Sequence, residues 1–178
     1  GGVPLTFWRR ATLAWHFGSL KMLLSGDISS SSRILYRRNV EDRVSRALPF
    51  VRVDGDPYLV LTDAGDLVWI IDGYTSTSRY PYAARLPDGT TYMRNSLKIT
   101  VDAYHGTVRA YIADAGDPII RTQARIFPGI LLPLDSMPAD LRRHLRYPED
   151  LYRAQASLYT TYHMTEPELF YHREDQWQ

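Results

Sequence analysis

A chain of 178 residues with 44% apolar side chains can build one domain with its own core, and this is not the composition of a disordered segment. Its formal charge of +1 creates no global field that would select nucleic acid, and the absence of cysteine excludes disulfides, a thiolate nucleophile and a cysteine zinc site. The charge is uneven: residues 1–53 carry nine Lys and Arg against three Asp and Glu, 54–118 five against nine, and 119–178 seven against eight.

Gly1 to Pro4 lack the charged-then-apolar pattern of a signal peptide and read as a cut edge. No run approaches the roughly 20 apolar residues of a membrane span. Residues 5–24 read as one helix, because Leu13, Phe17, Leu20 and Leu24 recur at spacings of four, three and four. Gly26 is its expected stop. A second helix is expected after Ser29–Ser32, whose hydroxyls suit an N-cap, running through Ile34, Tyr36, Val40, Val44 and Leu48 to Pro49.

Four strands follow, read as 58–62, 67–71, 96–101 and 107–112, with Asp- and Gly-containing turns between them. Leu67 to Ile71 is apolar on both faces and predicts a central strand. Residues 72–82 (Asp72, Gly73, Tyr74, then Thr75 to Ser78, Arg79, Tyr80, Pro81 and Tyr82) are expected to form a polar, aromatic loop. Beyond it, Asp117 with Pro118 predicts a capped helix through Ile120 to Phe127. Ser136 opens a short helix, and Pro148 with Glu149 and Asp150 opens a longer one with Leu151, Gln155, Leu158 and Tyr162 on one face. The expectation is a single α+β domain over 1–178: an N-terminal helical hairpin (1–49), a four- to five-stranded antiparallel meander (50–116) and C-terminal helices (117–178).

Several strings together are more specific than any one element. They are 17–20 with 24–28, 32–39, 72–82, 95–107, 145–151 and 159–164. On these strings, spread along essentially the whole chain, it resembles the UPF0182 family of bacterial integral membrane proteins. The resemblance implies a set of transmembrane helices elsewhere in the parent protein, and a location for this chain in its large extracytoplasmic region at the bacterial cell membrane. It carries no activity and no catalytic residues.

The candidate site residues come from the residue types themselves. Tyr74, Tyr80 and Tyr82 offer flat amphipathic surface and Arg79 a fork of donors, a mix suited to a sugar, a peptide or a partner protein. The structural alternative is a loop laid over the sheet with its rings capping the core. Lys98 and Asp102 share one strand face, with Arg109 on the next strand as a partner for Asp102. Such a row lines a groove or is simply a solvated face. Trp8, Arg9, Arg10 and Trp15 suit either a membrane-proximal helix or packing on a neighbour. His163, Glu168 and His172 form only a loose set, and Asp54/Asp56 with Asp63/Asp66 fit turns better than a calcium loop, so no metal or cofactor is expected. There is no nucleophile elbow and no phosphate-binding glycine loop. The expected function is a non-catalytic extracytoplasmic module that binds a protein partner or an envelope ligand. The competing reading is an envelope enzyme or transport accessory with active groups partly outside this chain. Expected partners are the rest of the parent membrane protein, which tethers this region to the membrane, a second copy, or an envelope protein, and not nucleic acid.

Overall fold

The computed structural model describes residues 2–29, 31–174 and 176–177. The α+β class expected from the sequence is what the chain forms, around one six-stranded sheet. Its centre is a pair of eleven-residue strands, β5 (Leu67–Thr77) and β6 (Tyr92–Asp102). β4 (Tyr58–Leu61), β5, β6 and β7 (Val108–Ile112) are consecutive antiparallel neighbours, which is the expected meander. β3 (Arg52–Val53) pairs with β5 beside β4, and β8 (Leu131–Pro133) adds to β7 in parallel. That parallel edge was not expected. Three residues carry no period, and α4 (Pro118–Ile126) is the crossover that makes the parallel return possible.

Both faces of the sheet are covered. Ile71, Leu97, Ile99, Val101 and Ala110 face Val44 of α3 (Val40–Ala47) and Ile120 of α4. Ile70, Tyr58, Val60 and Tyr111 face Met137 and Leu141, which belong to a 3-10 turn (Leu134–Ser136) with the residue after it and to α5 (Ala139–Arg142). The alternation of Ile70 with Ile71 and of Ala110 with Tyr111 assigns each strand residue its side. A bulge lies where Gly73 pairs with Leu97 and Thr75 with Arg94, so β6 carries an extra residue at 95–96. Gly73 is needed there: a Cβ would stand 2.9 Å from Val51 Cγ1 and 3.0 Å from Ile99 Cδ1.

The N-terminal third differs from expectation. The single helix over 5–24 is two, α1 (Phe7–His16) and α2 (Leu20–Leu24), because Gly18 at φ +62° turns the chain between them. The second helix starts not after Ser29–Ser32 but at Val40, where the Asn39 side chain accepts from the Asp42 amide and Glu41 and Asp42 complement the helix dipole. Ser29 and Ser32 instead bond one another's backbone in a turn; Ser30 lies outside the described residues. Arg33–Ile34 is a strand, β2, paired with β1 (Val3–Pro4). In the tail, α6 (Glu149–Tyr162) and α7 (Pro167–His172) bury no residue fully. Among the described residues no helix is long and apolar enough to cross a membrane.

Candidate functional site

The region read as a loop over 72–82 is mostly strand. β5 runs on to Thr77, since Thr75 and Thr77 are β-branched and pair with Arg94 and Tyr92, so the loop spans only 78–91. Tyr74 is therefore not a surface residue. It is fully buried and its hydroxyl donates to Asp54. Burial, the hydrogen bond to Asp54 and that carboxylate's charge push the hydroxyl pKa up. Arg79 is exposed, Tyr80 stacks on Tyr92 with centroids 5.7 Å apart, and Tyr82 stands fully in solvent. The three tyrosines do not make one surface.

Lys98 is not on a solvated face. It is buried, forms an ion pair with Asp72, and donates to the Arg146 carbonyl at 3.0 Å. The bulge turns Asn95 so that its amide donates to the same Asp72 oxygen at 2.9 Å. Burial raises the Asp72 carboxyl pKa, although Lys98 and Asn95 both favour the anion. Nearby, Asp54 accepts the amide of Asp150 at 3.1 Å, acting as the cap that Pro148 cannot supply to α6. The Arg146 guanidinium lies 4.3 Å from the centre of the Tyr58 ring. Asp102 accepts from the amides of Tyr104 and His105 and shapes the β6–β7 turn. Arg109 is exposed, and among the described residues it makes no ion pair with Asp102.

A second buried carboxylate ties the sheet to α4. Asp117 has no exposed surface and accepts from Thr75 Oγ1 at 2.5 Å, Ser96 Oγ at 2.6 Å, Tyr92 Oη at 2.6 Å and the amides of Ile119 and Ile120. Burial alone would raise its pKa; the bonds from Ser96, Thr75, Tyr92 and Ile119 outweigh that and hold it below the ordinary carboxylate value. Burial and the Asp117 carboxylate push the Tyr92 hydroxyl up to about 12. All of these groups are saturated by the fold and none points into open space.

Open space lies elsewhere, in a cleft of about 740 Å³ between α3 with the strand before it and the β6–β7 turn. Its floor is apolar, with Val40, Trp69 and Val101, and its rim carries Arg37, Arg38, Tyr104 and His105. Arg43 closes one end. Its guanidinium donates to the carbonyls of Gly106 at 2.9 Å, Arg37 at 3.2 Å and Tyr36 at 3.3 Å, so one side chain fixes both walls. Gly106 sits at φ +72°, and a Cβ there would overlap that guanidinium. Of the cleft residues, only Asp102 was put forward as a binding residue from the sequence. The signals were the basic excess of residues 1–53 and the Arg37–Arg38 doublet, but nothing in them shows that the chain folds back onto the turn at 103–106.

The N-terminal candidates divide. Trp8 is 77% and Trp15 90% exposed, with Leu20 and Leu24 also in solvent and Arg9 exposed. Arg10 instead turns inward and donates to the carbonyls of Met22 and Ser25 at 2.6 Å each and of Ile28 at 3.3 Å, clamping α1 to α2. Among the described residues no three His, Cys, Asp or Glu side chains are placed to hold a metal ion; His163 stacks on Trp177.

Over residues 1–178 the chain matches the family described as "Uncharacterised protein family (UPF0182)". It is 53% identical to a UPF0182 protein of Synechococcus sp. (strain JA-2-3B'a(2-13)), with all of this chain and 21% of that protein aligned. It is 54% identical to one of Geobacter sulfurreducens, with all of this chain and 20% of that protein aligned, and 48% identical to one of Moorella thermoacetica, with 99% and 20% aligned. The chain spans about a fifth of the length of the curated relatives it matches. No solved structure matches it. With the family match covering its whole length, the chain belongs to the UPF0182 family.

Proposed function

We propose that this region is a non-catalytic binding module on the extracytoplasmic side of a larger bacterial membrane protein, and that the cleft beside α3 is where it holds its ligand. The observation that carries this reading is the cleft itself: about 740 Å³, an apolar floor, an arginine and aromatic rim, and walls fixed by Arg43. Concave, mostly preformed hollows with a few convergent polar groups are where ligands bind. The deeply buried acids and their partners support the non-catalytic part, since Asp72, Lys98 and Asp117 are engaged in holding strands and helices together. Trp8 and Trp15, with Arg9 beside them, make α1 the element nearest the membrane or the rest of the parent protein in this reading.

Two measurements test it. A thermal-shift panel of peptidoglycan fragments, neutral oligosaccharides and anionic headgroup analogues is expected to contain one ligand that raises Tm. At about 100 times its Kd a ligand adds roughly 2.7 kcal/mol, or about 5–11 °C at this size. The shift should vanish in Tyr104→Ala, whose ring stands 77% exposed at the cleft rim. No shift up to millimolar concentrations removes the small-ligand reading and leaves a protein as the occupant. For sidedness, Ser78→Cys in the full-length protein, freed of other cysteines, should react on intact cells with a membrane-impermeant maleimide. Protection until lysis would sink the extracytoplasmic placement.

A further inference from the structure

The chemistry of the cleft rim is one-sided. Four arginines line it, Arg37, Arg38, Arg43 and Arg46, against one carboxylate, Asp102, which is occupied by the turn amides. Arg46 is offset by Asp42 at 2.8 Å. Among the described residues the other three have no carboxylate partner. Among the described residues the Arg43 side chain bonds carbonyl oxygens only, Arg37 lies 5.6 Å from the centre of the Tyr36 ring, and the exposed Arg38 side chain has no hydrogen-bond partner. Exposed guanidiniums without a carboxylate partner keep their charge and their donors available to an anion.

The backbone that presents them is held in a costly conformation. Arg37 has φ +54°, the left-handed region that side chains with a Cβ rarely occupy. Arg43 grips the carbonyls on both sides of that turn, at Tyr36 and Arg37, and so locks the doublet toward the cleft. Strain of this kind persists where the surroundings over-determine it, and it gathers at binding sites.

We propose that the cleft binds a phosphoryl group carried on a ring or a short apolar stem, with Arg37 and Arg38 on the phosphoryl oxygens and the stem over Val40, Trp69 and Val101. Guanidinium forks match phosphate oxygens in geometry and charge, and a doubly charged group suits several unpaired arginines better than a single carboxylate does. The apolar floor and the exposed Tyr104 and His105 rings account for the non-phosphate part. The proposal rests on the binding-module reading and deepens it, and the same chemistry can come from a soluble phosphate ester or a phospholipid headgroup.

The test is isothermal titration of the 178-residue chain with pyrophosphate, beside flotation with phosphatidylglycerol vesicles and with phosphatidylcholine vesicles. Saturable pyrophosphate binding is expected, weakened by raising salt and reduced at least tenfold in both Arg37→Gly and Arg38→Gln. Arg38→Lys should restore part of it, and Arg125→Gln, outside the cleft, should leave it unchanged. Arg37→Gly relieves the left-handed backbone, so a purely structural arginine there would leave binding intact and the fold no weaker. If phosphatidylglycerol vesicles also capture the chain and pyrophosphate releases it, the source is a headgroup; pyrophosphate binding without vesicle capture indicates a soluble ester. Failure of both probes at millimolar concentration, or binding that ignores the two substitutions, overturns the proposal. Saturable binding of a neutral oligosaccharide in the cleft in place of pyrophosphate would overturn it while leaving the binding-module reading standing. Should either variant fail to fold, the salt dependence of wild-type binding decides the question.

Discussion

On one face of the sheet Ile71, Leu97, Ile99 and Val101 meet the apolar sides of α3 and α4. On the other face, one strand thickness away, Asp72, Tyr74 and Lys98 are buried as deeply beneath the chain between α5 and α6. The first face holds by area and shape, tolerant of which apolar residue does the filling. The second holds by direction: each polar group has a small set of fixed partners, and losing the charged one leaves a buried charge uncompensated. Both faces carry an apolar cluster; on the second, the buried polar set also fixes where 146–150 must lie and so how α6 leaves the sheet.

The largest effect should come from splitting the ion pair. Asp72→Ala leaves the Lys98 ammonium buried with only the Arg146 carbonyl, and a loss of about 3–5 kcal/mol is expected in urea unfolding. The double variant Asp72→Leu with Lys98→Met should recover most of that loss. A single variant costing under about 1 kcal/mol would mean the pair is not ionic, and the contrast between the faces would collapse. Ile99→Ala, on the apolar face, should cost about 2–5 kcal/mol with no such rescue.

Asp117→Ala removes the cap of α4 and orphans the Thr75, Ser96 and Tyr92 hydroxyls, for about 2–3 kcal/mol. Its pH dependence sharpens the comparison. The folded pKa of Asp117 is depressed, so the stability it lends is fully present above the unfolded value, about 3.9, and is lost as pH falls through the folded value. Unfolding midpoints measured from about pH 5 down to about pH 2 should therefore fall less steeply at the acid end for Asp117→Asn than for wild type. Parallel curves would show that the carboxylate is not what the hydroxyls hold.

Gly106→Ala should cost about 1–2 kcal/mol, since alanine is strained at φ +72° and its Cβ displaces the Arg43 guanidinium. The part of the loss that comes from the clash should disappear on an Arg43→Ala background, leaving the backbone strain, and a double-mutant cycle would read the difference directly. The smallest effect is expected at Trp15→Ser, within about 0.5 kcal/mol in the isolated chain, because the ring is almost wholly in solvent. A larger loss would mean that α1 packs more tightly than this structure shows.

Much of the meander was legible because its signals are local. Alternation in β4 and the apolar run of Leu67 to Ile71 report burial by period, and the turns at 63–66 and 103–106 carry their own Asp and Gly chemistry. The cap at Asp117 was equally legible, since Asp-Pro before an apolar period is a helix start. The polar side chains of β5 and β6 were misread for the same reason. Alternation says which side of a strand Lys98 occupies, but a lysine covered by residues 146–150 looks the same in sequence as one in water. Serines at 29–32 promised a cap, but pairing between β1 and β2 took the following residues into a strand.

The sequence by itself determined the α+β class, the order of the meander strands β4 to β7 and the family, because each rests on short-range periodicity, turn chemistry or long specific strings. Only the tertiary structure decided that Tyr74 is core, that Asp72 and Lys98 are a buried pair, and that Arg37, Arg38 and Arg43 gather at one cleft. Those outcomes depend on contacts between residues 20 to nearly 100 positions apart, such as Tyr74 with Asp54, Arg43 with Gly106, and Asp54 with Asp150. Burial and charge pairing at such separations follow from how the layers stack, a property of the folded chain that no local pattern encodes.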